Sequence, residues 1–302
     1  MGYKLIKRIR NYWWAFLLVL SLQAPELSFG QTFTNTNAAV SLPTVTLPRH
    51  EGSVRIAVFG DTGRGSKEQY ELGAVMNDYR RAFPYDAVIM TGDNIYGTDK
   101  AVDMKAKFED AYKPLLDQGV KFYATLGNHD SPNQRNYAFF NMKGEEYYRF
   151  KKDEVSFYSL NSNYMDKRQL DWLVAELTKD TSKWKIAFFH HPPFSSGGRH
   201  GSDKEIRQVI HPLLVKHGVD VVFTGHDHFY ERIHPQDGIQ YFVAGAGGKI
   251  RAGDVKRSAL TAKAFDKDLS FMLVEIWKDE MYFQVITRAR ATVDSGMIKR
   301  RN

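Results

Sequence analysis

The chain has 302 residues, of which 43% are apolar, 14% aromatic and 25% charged, which excludes disordered, collagenous and coiled-coil architectures and requires a packed core. It has no cysteine, so disulfides, zinc fingers, thiolate iron-sulfur centres and a cysteine nucleophile are excluded, and any metal must be held by His, Asp, Asn, Glu or Tyr. The formal charge is +7; Lys4, Lys7, Arg8 and Arg10 against Glu26 supply part of it, and the +4 left beyond residue 30 is a mild excess with no basic stripe. Nucleic acid is therefore not an expected partner.

Four cations precede the apolar run Tyr12–Leu22, and Ser28-Phe29-Gly30 places small residues three and one before Gln31. That layout predicts a secretory signal over residues 1–30, cleaved on export. The run is about half of the ~20 apolar residues that a spanning helix needs, so no stable membrane anchor is expected after cleavage, and the protein is expected to be secreted or periplasmic. Residues 31–53 are rich in Thr, Asn and Pro without periodicity and read as a flexible leader.

The folded domain is expected over residues 54–288. Val54–Phe59 is a β-type run that ends in Gly60-Asp61-Thr62-Gly63, and helical spacing follows over residues 66–81. A second strand, Asp86–Met90, ends in Thr91-Gly92-Asp93-Asn94-Ile95-Tyr96 and precedes a helix over 101–117. Further strands are predicted at Lys121–Leu126, Val155–Leu160, Lys185–Phe189, Val219–Phe223, Ile239–Ala244, Phe271–Trp277 and Met281–Ile286, with helices over 167–178 and 204–217. The alternation gives an α/β domain with mixed sheets. Residues 289–302, with Lys299, Arg300 and Arg301, read as a frayed basic tail.

Five of these strands end in polar clusters: Gly60-Asp61-Thr62-Gly63, Gly92-Asp93-Asn94-Ile95-Tyr96, Gly127-Asn128-His129-Asp130, His190-His191-Pro192-Pro193 and Gly225-His226-Asp227-His228. One such cluster is commonly a turn; five in series point to a shared site, because open α/β sheets bind ligands beyond the carboxyl ends of their strands. Carboxylate, amide, imidazole and phenolate are donors suited to iron, manganese or zinc.

These clusters resemble, in order, the GDxG, GDxxY, GNH-D/E, VxxH and GHxH motifs of the metallophosphoesterase (calcineurin-like) superfamily, and most closely those of the small, tartrate-resistant type of purple acid phosphatase. The resemblance spans about residues 54–250, and its one departure is Ala187 at the first position of VxxH. It implies a four-layer αββα sandwich of two mixed β-sheets flanked by helices. It also implies two metal ions, Fe(III) with Fe(II), Zn(II) or Mn(II). Asp61, Tyr96 and His228 would bind one, Asn128, His190 and His226 the other, and Asp93 both. Tyr96 distinguishes the purple branch, in which a phenolate binds iron(III). His129, with Asp130 beside it, and His200 are the implied proton donors, and the implied reaction is in-line attack of a metal-bound hydroxide on a small phosphomonoester.

Other readings carry less weight. A phosphodiester, nucleotide or pyrophosphate substrate would use the same metal residues, and an exported metal- or phosphate-binding protein would keep them without turnover. Gly60–Lys67 lacks the Lys-Ser/Thr order of a P-loop, and Gly245-Ala246-Gly247-Gly248 reads as a loop bordering the site rather than a dinucleotide fingerprint. His191, next to an implied ligand, is expected to point elsewhere in a structural or rim role, Asp227 to support a turn or a neighbouring ligand, and Arg199 to be an exposed loop arginine rather than a contact to a substrate phosphate.

Overall fold

The computed structural model describes residues 43–301; the expected signal and its cleavage site lie outside the described residues. The strand Val54–Phe59 (β1) and its parallel neighbour Ala87–Met90 (β2) are apolar on both faces, and that marks them as interior strands. They centre a six-stranded mixed sheet completed by Lys121–Ala124 (β3), Ser270–Trp277 (β11), Glu280–Thr287 (β12) and Thr292–Lys299 (β13), in the order β13-β12-β11-β1-β2-β3. A second mixed sheet has seven strands. It comprises Tyr148–Lys152 (β4), Val155–Ser159 (β5), Trp184–Phe188 (β6), Val221–Thr224 (β7), Tyr230–Ile233 (β8), Gln240–Ala244 (β9) and Thr261–Phe265 (β10), in the order β10-β8-β9-β7-β6-β5-β4.

The sheets face one another across a core in which Ile56, Val58 and Ile89 meet Ile186, Phe188 and Phe223. Outside the first sheet lie Lys67–Ala82 (α1), Ala101–Met104 (α2) and Asp110–Asp117 (α3), with Leu72, Met76, Phe108 and Tyr112 packed on Phe59 and Phe122. Outside the second lie Lys167–Lys179 (α4) and Lys204–Lys216 (α5), seated by Leu173, Leu177, Ile210 and Leu214. This is the expected four-layer α/β sandwich. Ser66, Asp166 and Asp203 cap α1, α4 and α5 by accepting from the main-chain amides of Gln69, Gln169 and Ile206.

Several local expectations are corrected. The helix predicted over 101–117 is interrupted by a π-helical stretch at Lys105–Glu109, whose Lys107 carbonyl accepts from the Gln69 side chain at 2.6 Å. Part of the supposed leader packs on the first sheet: Leu47 is buried, and the buried Glu275 carboxylate accepts from the amides of Arg49 at 2.7 Å and His50 at 2.5 Å. That segment shows no periodicity because its amides bond to side chains rather than to a ladder.

The expected frayed tail is strand β13, paired antiparallel with β12 from Glu280–Lys299 to Ile286–Thr292. Its Asp294 accepts from Tyr230 Oη and Arg232 Nε, both at 2.8 Å, and so clamps the edge of one sheet to β8 of the other.

Candidate metal centre

The carboxyl ends of β1, β2, β6 and β7 lie at the same end of the sandwich, where Gly60 N–H donates to Ala244 O at 2.8 Å and joins the two sheets. Three residues of the polar clusters, Asp61 (φ 56°), Asp93 (φ 50°) and His226 (φ 71°), take left-handed backbone conformations. Non-glycine residues seldom do so, and here each turns its side chain back over the sheet ends. Their glycine neighbours permit the crowding: a Cβ on Gly127 would stand 2.2 Å from Asp93 Oδ1, and one on Gly225 would stand 2.5 Å from Asp61 Oδ2.

The expected ligands assemble into two adjoining groups. In the first, Tyr96 Oη lies 3.3 Å from Asp61 Oδ1 and 3.2 Å from His228 Nε2, and His228 Nε2 lies 3.3 Å from Asp61 Oδ1. In the second, His190 Nε2 lies 3.0 Å from Asn128 Oδ1 and 3.1 Å from His226 Nδ1. Asp93 stands between them: it clusters with Asp61 and His228, and its Oδ1 is 3.4 Å from His190 Nε2.

The donor chemistry fits cations. His190 Nδ1–H donates to Thr91 O at 2.9 Å, which leaves the Nε2 lone pair facing the Asn128 amide oxygen, an arrangement of two acceptors that a cation would satisfy. Burial pushes the pKa of His226 and His228 down to about 2 and that of His190 well below its ordinary value, so all three imidazoles are neutral, as metal ligation requires. Burial and the Asp93 charge push Asp61 well above the usual carboxylate range. Two buried carboxylates without a counterion are the converse of the same requirement.

The loops are held by residues with identifiable partners. Asp130 accepts from Gly127 N at 2.8 Å and from Asn94 N, Asn94 Nδ2 and Ile95 N at 3.0 Å each. Its carboxylate is occupied by these amides and makes no hydrogen bond to His129. Lys107 Nζ, from the π-helical stretch, donates to Tyr96 O at 2.7 Å. Asp227 accepts from Ser195 Oγ at 2.5 Å and Gly201 N at 3.2 Å, which fastens the loop carrying His200.

His129 and His200 are exposed at the mouth. The His129 ring centroid is 5.1 Å from that of Tyr96, and the His200 ring is 4.2 Å from that of His226, one over each group. His191 departs from expectation only in where its ring points. Its Nδ1 bonds Ser162 Oγ at 2.8 Å, and it forms a metal-sized cluster with His190 and His226, because strand alternation has already lapsed at the His190-His191 turn. The Gly245–Gly248 loop does border the site, with Gly247 N–H donating to Gly60 O at 2.9 Å.

Residues 54–230 match the calcineurin-like phosphoesterase family model, and the chain belongs to that family. Within it the chain is similar to the purple acid phosphatases. It is 27% identical over 254 residues to purple acid phosphatase 17 of Arabidopsis thaliana, covering 71% of this chain and 74% of that protein. To purple acid phosphatase 3 of the same plant it is 29% identical over 245 residues, covering 68% and 66%.

The fold is shared with a purple acid phosphatase from yellow lupin (Lupinus luteus) seeds, at a TM-score of 0.69 and 17% identity over 84% of this chain and 55% of that one. It is also shared with a Plasmodium protein described as the anchor in the inner membrane complex, at 0.70 and 18% over 83% and 90%.

Proposed function

We propose that this protein is an exported phosphatase that hydrolyses phosphomonoesters at a dinuclear metal centre. The observation that carries the reading is the pair of adjoining donor groups, Asp61-Tyr96-His228 and Asn128-His190-His226, with Asp93 between them. Two bound cations, Fe(III) with Fe(II), Zn(II) or Mn(II), would supply Lewis acidity to the phosphoryl oxygens and activate a water near neutral pH.

The chain's own residues account for the rest. Asp61 and Asp93 provide buried negative charge, the neutral imidazoles offer lone pairs, and Tyr96 offers a phenolate once its proton is displaced. His129 and His200, one over each group and both open to solvent, are the groups placed to protonate a departing alkoxide. Asp130 and Asp227 act as positioning residues. No side-chain nucleophile is invoked, and displacement is in line, with inversion at phosphorus. Export is supported by the charge and hydropathy pattern of residues 1–30; mass spectrometry of the protein recovered outside the cytoplasm should show a new terminus near Gln31.

Asp93→Ala and His226→Ala are the direct tests. Each variant should keep its circular dichroism spectrum and lose about 10³-fold or more in turnover, on the scale of removing an electrostatic stabiliser from a reaction centre. Substantial hydrolysis by either would overturn the reading. Parallel assays with a monoester, a cyclic nucleotide and a diester define the ester class.

A further inference from the structure

The two sides of the candidate metal centre differ in charge. On the Tyr96 and His228 side, Arg64 Cζ stands 5.8 Å and Lys249 Nζ 5.6 Å from the centroid of the Tyr96 ring. Arg251 N–H donates to His228 O at 3.2 Å. Arg199 precedes His200, on the loop that Asp227 and the Gly198 N–H to Asp254 O bond of 2.8 Å hold in place.

Among the described residues none of these four cations forms an ion pair, and Arg251 Nη1 is buried with no hydrogen-bond partner. The loop that follows Arg251 packs on the loop carrying Arg199, with Lys256 N–H donating to Ser196 O at 2.7 Å.

The opposite side is unlike this. A cavity of about 640 Å³ opens beside Asn128 and His191; its walls contain no lysine or arginine and include Glu205, the α5 cap Asp203, and Glu146, which is ion-paired with Arg135. A phosphoryl group seated between these sides meets cations one way and carboxylates the other.

We infer that Arg64, Arg199, Lys249 and Arg251 form an anion-binding rim that selects phosphate esters carrying a second anionic group, a carboxylate or further phosphoryl, and orients that group away from the carboxylate-lined cavity. The inference rests on the phosphatase reading above. Unpaired guanidinium and ammonium groups are the usual partners of such anions, and they discriminate where like charge on the other wall repels.

The test compares 3-phosphoglycerate with glycerol 3-phosphate, which has the same carbon skeleton without the carboxylate, on the metal-loaded full chain. The rim predicts that kcat/KM favours 3-phosphoglycerate by about five- to tenfold at low ionic strength, mainly through KM, with the advantage shrinking as salt is raised. In Arg64→Gln/Lys249→Gln, whose side chains lie at the surface or half-buried, and separately in Arg251→Gln, the ratio should fall toward one. A wild-type ratio of one or less with both esters hydrolysed, or a ratio unmoved in folded variants, overturns the rim and leaves the phosphatase reading standing. Hydrolysis of neither ester overturns that reading and the rim with it.

Discussion

Asp130 accepts from both the main-chain and the side-chain amide of Asn94, at 3.0 Å each, and so locks the loop that ends β3 to the loop that carries Asp93 and Tyr96. The two loops supply residues to different halves of the candidate centre. Asp130→Asn would turn an amide N–H toward other N–H donors and leave them unsatisfied. We expect a loss of about 1–3 kcal/mol in stability and about 10–100-fold weaker metal retention, measured by denaturant unfolding and chelator competition. The ratio of turnover between good and poor leaving groups should stay as in the wild type; a selective loss on poor leaving groups would instead put Asp130 in proton transfer.

Metal uptake should release protons, with the Tyr96 phenol and the Asp61 carboxyl as their sources. The Asp61 pKa is held well above the carboxylate range by burial and by Asp93, so the metal-free folded protein holds a proton there more tightly than an ordinary carboxyl does, and a cation must displace it. His226 and His228, at about 2, are already neutral at pH 5 and release none. Calorimetric titration in buffers of differing ionisation enthalpy should show net proton release on metal uptake, reduced in Asp61→Asn and separately in Tyr96→Phe. Uptake without proton release in the wild type would contradict the assignment.

Asp227 should matter through His200. Its carboxylate holds Ser195 and Gly201 at both ends of the loop that presents that histidine. Asp227→Ala should lower kcat about tenfold on an ester with a poor leaving group and much less on p-nitrophenyl phosphate, whose leaving group needs little protonation. Equal losses on both would assign the effect to general disorder of the site.

The C-terminal strand should be required for stability. Asp294→Ala leaves the buried Tyr230 hydroxyl and the Arg232 guanidinium without their shared partner, an expected loss of about 2–3 kcal/mol. A chain ended after Arg288 should unfold at markedly lower denaturant, because β12 becomes a bare edge. Stability equal to the full chain would contradict the clamp.

The five polar clusters were legible because each follows a short apolar strand, and because Asp, Asn, His and Tyr cannot occur there in series for packing reasons alone. The elements that escaped were those that local patterning does not mark. β8 carries Glu231 and Arg232 within four residues, β10 carries Lys263 on its solvent side, and β13 is a polar edge strand with Asp294, Ser295 and Gly296 at its centre. All three are stabilised by partners distant in the chain. His191 was half legible: its bond to Ser162 suits the structural or rim role expected of it, but strand alternation stops at the turn, so its ring clusters with His190 and His226 instead of pointing elsewhere. The four cations of the proposed rim were not legible as a set, because Arg64, Arg199, Lys249 and Arg251 stand far apart in the sequence, and only Arg199 beside His200 suggested a phosphate contact.

Metal content per chain, measured with the visible absorption spectrum on the purified protein after loosely bound ions are removed, tests the central claim most directly. The account predicts close to two metals per chain including iron, with a tyrosinate-to-iron(III) band that disappears in Tyr96→Phe. A folded protein that retains no metal, or a single ion without loss of activity when it is removed, would contradict it.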